Sequence, residues 1–135
     1  MLGEMIGEEQ GKITGMRVLP SDGTSPKIEV SFQANGKLIG VETTNMGTYI
    51  STLMPTGVFY GVGQGISMTK DGEAIPWTGS GVGKPTGKGM AAKWCGSIYF
   101  QTSSPRFARL NDVAVLFEYE VDENGNTADK LWEWK

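Results

Sequence analysis

Histidine does not occur in this 135-residue chain, and its absence removes a large share of ordinary enzyme chemistry. A Ser-His-Asp triad, a Cys-His pair, a His-bound zinc and a two-His-one-carboxylate iron site cannot be assembled from these side chains. Cysteine is reduced to Cys95, so no internal disulfide and no paired-cysteine metal or redox motif can form, which fits a reducing, cytoplasmic location. Long apolar runs are missing as well. The longest, "VAVLF" from Val113 to Phe117, is far too short to cross a bilayer, and "MLGEMIGEEQ" has neither the basic leader nor the apolar stretch of a signal peptide. Twelve basic against fifteen acidic side chains give a net charge of −3, with no basic cluster to follow a phosphate backbone. Neither a membrane nor a nucleic acid is an expected partner, and no metal, cofactor or catalytic set is expected.

What the chain has in quantity is punctuation. Twenty glycines and six prolines leave few gaps wide enough for an ordinary helix, so the composition points to an all-β domain spanning 1–135. Asp22-Gly23, Asn35-Gly36, Asp71-Gly72 and Asn124-Gly125 are hairpin signals, each able to supply a positive φ. With two-residue loops, counting outwards sets Phe32 opposite Ile39 and Val30 opposite Val41 in the second hairpin. In the third it sets Met68 opposite Ile75 and Ile66 opposite Trp77. In the last, Phe117 falls opposite Trp132 and Val115 opposite Trp134, but Glu120 then opposes Asp129, and that like-charge pair argues for a longer loop. The runs between turns number eight to ten. "VFYGVGQGISMT" alternates Val58, Tyr60, Val62, Ile66 and Met68 with Gly61, Gly63, Gly65, Ser67 and Thr69, the pattern of a strand that bends sharply or lets another backbone come close. From Val113 to Val121 the period is two and β-branched and aromatic residues dominate, so a strand is expected there. Before it, "SSPRFARLND" reads as one helical turn near 105–110, with Ser104 as cap, Pro105 at the first position, and Phe107 and Leu110 closing one end of the fold. A single antiparallel barrel is the economical architecture, because closure removes exposed strand edges.

Three features invite functional readings and fail them. "GSGVGKPTGKG", Gly79 to Gly89, has the look of a phosphate loop, yet the residue five before Gly83 is Thr78, Lys84 is followed by Pro85, and Gly87 and Gly89 forbid a following helix. It reads as a connection between barrel strands. Cys95 in "KWCGS" has only Lys93 nearby to activate it. Glu118 and Glu120, two apart on a strand, share a side and are expected on a solvated outer face.

The C-terminal part, with its Gly-rich run from Gly79, the "SSPRFARLND" turn, the "FEYEVD" strand and the closing "LWEWK", resembles a family of small bacterial proteins of unknown function whose barrel is similar to that of plant allene oxide cyclase. The resemblance implies a barrel of about eight strands and carries no catalytic residue across. It also implies a possible mode of action, in which a pocket holds an apolar molecule in a reactive shape without metal or cofactor. The expected function is binding of a small apolar ligand in the barrel, walled by Tyr60, Trp77, Trp94, Phe117 and Trp132, which the alternation places on apolar faces. Two alternatives stand beside it. One is a cofactor-free isomerase or cyclase using a carboxylate such as Glu118. The other is a solid barrel acting as a structural or homo-oligomerising module.

Overall fold

Residues with alternating faces and turn-forming termini need partners on both edges, and here the chain supplies them all to itself. The computed structural model describes residues 1–135. It contains strands β1 (Leu2–Leu19), β2 (Lys27–Leu38), β3 (Val41–Leu53), β4 (Phe59–Thr69), β5 (Ala74–Pro85), β6 (Ala92–Phe100), β7 (Val115–Val121) and β8 (Asn126–Trp134), with one 3₁₀ helix, Pro105–Asp112, before β7. Each strand pairs antiparallel with the next and β8 returns to β1, giving a closed eight-stranded barrel in simple up-and-down order. No helix is long and apolar enough to cross a membrane.

The turns sit close to, but not at, the positions that two-residue loops require. Gly125 and Gly72 both have positive φ (80° and 88°), but each is the third residue of a three-residue loop. Asp122 N–H pairs with Asn126 O at 3.0 Å, and Thr69 N–H with Glu73 O at 3.0 Å. This is the turn-plus-bulge hairpin that Asp-Gly and Asn-Gly serve as readily as the two-residue kind. The register therefore slips by one. Phe117 lies opposite Leu131 and Val115 opposite Glu133. Likewise Ser67 lies opposite Ile75, and Trp77 opposite Gly65 rather than Ile66. A slip of one turns every side chain to the other face, so Trp132 lies on the outer surface opposite Leu116. The charge conflict disappears in this register, because Glu118 meets Lys130 and Asp129 meets Tyr119.

Asn35-Gly36 is no turn. Both residues run inside β2, and the chain reverses at Ile39-Gly40, where φ is 43° and 80°. Gly36 is needed for closeness: a Cβ there would collide with the Glu8 carbonyl oxygen and lie 2.7 Å from Glu9 Cα. The long β1 is one strand bent by irregularities between Leu2 and Gly7 and between Ile13 and Gly15.

The barrel's two ends are built differently. At one end the 3₁₀ helix inserts Phe107 and Leu110, both fully buried, among Leu38, Ile75, Phe100 and Val115. Ser104 precedes the helix but makes no capping hydrogen bond with its side chain. The helix is tied down instead by Asn111, which clasps Thr102 through both backbone groups at 2.8 and 2.9 Å, and by ion pairs of Arg106 with Glu73 and Arg109 with Glu133. At the other end a second cluster gathers Ala92, Trp94, Tyr119 and Val121. A cavity lies between these two plugs.

Candidate functional site

The cavity exists because β4 and β5 present glycine to the interior. Gly61, Gly63 and Gly65 face inward, while Tyr60, Val62 and Met68 of the same strand face out. The alternation in β4 is therefore real, with the large residues on the outside, since the inner space is already taken by indoles from neighbouring strands. A Cβ on Gly61 would lie 2.6 Å from the Trp94 ring, one on Gly83 the same distance from that ring, and one on Gly47 2.7 Å from the Trp77 ring. Rings laid flat over bare backbone leave a gap beside them. A volume of about 80 Å³ remains, bounded by Phe32, Tyr49, Trp77, Trp94, Phe117 and Tyr119, with Gly61, Gly63, Gly79 and Gly81 on the glycine wall. The Gly-rich run thus serves as a strand wall through Pro85 and a loop beyond it.

Of the five aromatic residues expected to wall a pocket, the structure brings Trp77, Trp94 and Phe117 together at this cavity. Tyr60 and Trp132 lie on the outer face, Tyr60 being 46 % exposed. Glu118 and Glu120 are also outside, Glu120 within 3.9 Å of Lys93. Cys95 is exposed on the outer face, opposite Val82 and Glu118.

The interior carries acids of its own. Glu9 of β1 and Asp129 of β8 lie directly opposite each other, 5 % and 8 % exposed, and both line the cavity. Nothing in "GEEQGK" or "TADKLW" marks them, because the inward row of β1 is Gly7, Glu9, Gly11 and Ile13, which has no apolar alternation to read. The one available signal is register: Asp129 falls inward with Thr127 and Leu131 once the last hairpin is given its three-residue loop. No third His, Cys, Asp or Glu joins them to make a metal-binding set.

Hydrogen bonding favours the proton on Asp129 over Glu9. The Trp77 indole N–H can only donate, and it donates to Asn45 Oδ1 at 2.8 Å. The Asn45 amide is thereby oriented with its NH₂ towards Glu9 and donates to Glu9 Oε1 at 3.1 Å. Glu9 is thus placed to be the ionised acceptor, and Asp129 the protonated partner. Electrostatics agree. Burial and the adjacent Glu9 charge push Asp129 up to about 9. Burial also raises Glu9 above the ordinary carboxylate range, while its bonds to Asn45 and Asp129 pull it back. One oxygen, Asp129 Oδ1, is buried with no hydrogen-bond partner. Beside the pair, Tyr119 and Tyr49 approach hydroxyl to hydroxyl at 3.3 Å, and burial pushes Tyr49 up to about 12 and Tyr119 higher still. No lysine or arginine lines the cavity.

This arrangement makes stability depend on pH with a definite sign. Unfolded, Asp129 titrates near 3.8, and folded, near 9. Between those values the folded protein holds a proton that the unfolded chain has released, so the stabilisation is complete below about pH 4 and is lost as pH rises towards 9. The slope is at most about 1.4 kcal/mol per pH unit. Thermal melts should therefore fall steadily from pH 5 to pH 8, and Asp129→Asn, whose amide needs no proton, should flatten that decline and melt several degrees higher at pH 8. A wild-type melting temperature constant across this range would show that Asp129 ionises freely.

No family model and no curated protein sequence matches the chain. Solved structures share its fold. A protein of unknown function from Clostridium acetobutylicum superposes with a TM-score of 0.82 at 12 % identity, covering 96 % of each chain. A β-barrel-like protein from Acinetobacter baumannii gives 0.82 at 12 % identity over 100 % of this chain and 96 % of its own. An enzyme from Penicillium herquei gives 0.69 at 17 % identity over 96 % and 92 %. Identities this low establish a shared barrel and nothing of its chemistry.

Proposed function

We propose that the barrel binds one small, largely apolar molecule bearing a single polar group, in the cavity between the two plugs. The observation that carries this reading is the open space of about 80 Å³ itself, walled largely by aromatic rings and glycines with the buried carboxyl residues Glu9 and Asp129 in its lining. Carboxyl groups in so apolar a wall make stronger hydrogen bonds than in water, so a ligand with one polar group is held by them and oriented. The cavity is several times the roughly 10–15 Å³ that one water needs, which suits a small ring better than a long chain. An interior left open in this way weighs against a solid structural module. The sequence resemblance to allene-oxide-cyclase-like barrels points in the same direction, and the barrel of the Penicillium herquei enzyme provides a precedent for activity in this fold.

Tryptophan fluorescence provides the test, because Trp77 and Trp94 line the cavity while Trp132 and Trp134 do not. In a Trp132→Phe, Trp134→Phe protein, small cyclic ketones and phenols should shift the emission saturably, and Gly63→Val, which pushes a side chain against Tyr49, should abolish the shift. A panel of such compounds that leaves the emission unchanged would remove the proposal.

A further inference from the structure

Resting on the binding reading above, we infer that Glu9 and Asp129 form an acid–base pair that moves a proton within a bound enolisable ketone, making the cavity the site of a cofactor-free carbonyl isomerase. Three geometric facts lead there. The two carboxyl residues are cross-strand partners that both line one cavity, with Glu9 held by Asn45 and Asp129 given no such donor. The relay from Trp77 through Asn45 gives Glu9 a fixed donor that stabilises its charge and that Asp129 lacks, which suits Glu9 to the role of base and Asp129 to that of acid. The surrounding wall is apolar and free of cations, a setting in which a neutral acid donates to a developing oxyanion far more strongly than in water. The groups beside the pair in the cavity lining are Asn45 and Tyr49 from β3 and Tyr119 from β7, and the Glu8 charge also acts on Asp129. None can neutralise Glu9, so its carboxylate stays basic. Environments that hold two acids in different protonation states are how one site does acid and base work together.

The step balances without a co-reactant. Glu9 takes a proton from the carbon next to the carbonyl, the C–H electron pair becomes a carbon–carbon double bond, and the carbonyl π pair moves to oxygen, which Asp129 protonates. Glu9 then returns its proton to the far carbon of a conjugated dienol while the hydroxyl proton goes back to Asp129. A β,γ-unsaturated ketone leaves as its α,β-unsaturated isomer, and both carboxyls regain their starting states.

The probe is 3-cyclohexen-1-one, followed by proton NMR for conversion to 2-cyclohexen-1-one and, in D₂O, for exchange at its α-carbons, with binding read separately by the fluorescence of the Trp132→Phe, Trp134→Phe protein. Conversion should exceed that in acetate buffer of equal carboxylate concentration by at least about 100-fold, and Glu9→Gln should remove that excess. Should Glu9→Gln fail to melt cooperatively, Asp129→Asn carries the test, with a loss of about tenfold or more because an amide still donates a hydrogen bond but no proton. Saturable binding with conversion no faster than buffer overturns the catalytic inference and leaves the binding reading standing. Full activity in either variant also overturns it. Absence of both binding and conversion overturns the two together.

Discussion

Replacing Trp77 with alanine is expected to destabilise the barrel by about 3–5 kcal/mol, and the same truncation of Trp132 by only about 1–2 kcal/mol. Trp77 is 8 % exposed, its ring centroid stands 6.3 Å from that of Phe32, and it covers Gly65 and, together with Phe32, Gly47. Its loss also leaves Asn45 Oδ1 without the indole N–H, so a buried acceptor goes unpaired or the amide rotates and withdraws its donor from Glu9. Trp132 is half-buried on the outer face and gives up only part of its transfer free energy. Urea denaturation of the two variants checks the contrast. Equal costs would mean that the indole over the glycine wall contributes no more than one on the surface.

The same pair of tryptophans marks where reading the sequence succeeds and where it stops. Alternation located β4, β7 and the closing hairpin, and "SSPRFARLND" placed Phe107 and Leu110 at one end, because period-two patterns and a Pro-initiated turn are local signals. Which face is inside is not local. Tyr60 belongs to the apolar side of β4, yet Trp94 and Trp77 arrive from β6 and β5 to occupy the interior over Gly61 and Gly65, and Tyr60 must go out. Trp132 turns outward because of a single residue of loop length, since Asn124-Gly125 serves a three-residue loop as well as a two-residue one. The opposition of Glu120 to Asp129 was the trace of that slip, and the corrected register turns Asp129 inward to meet Glu9. The acid pair could not be read directly, because its members sit near opposite ends of the chain and meet only when β8 closes on β1.

That closure carries the largest effect of all: a chain ending at Lys130 is expected to lose cooperative folding and aggregate. The missing segment holds Leu131, Trp132 and Trp134, which pair with Gly7, Met5 and Leu2 of β1 on one side, while Leu131 and Glu133 meet Phe117 and Val115 of β7 on the other. Leu131 is 6 % exposed within the core, and emptying such a site alone costs about 2–5 kcal/mol. With it go the Arg109–Glu133 ion pair that holds the 3₁₀ helix, the backbone bond from Trp134 to Ala114, and the bond of Lys135 to Met1 that joins the chain ends. Total stability of a domain this size is about 5–15 kcal/mol, so losses of this order consume most of it. The edges of β1 and β7 are then left bare over the same stretch, and unpaired edges recruit other chains. Light scattering and thermal circular dichroism on the truncated chain decide the matter. A monomer that melts in one sharp transition would show that the first half of β8, Asn126 to Lys130, is enough to close the barrel.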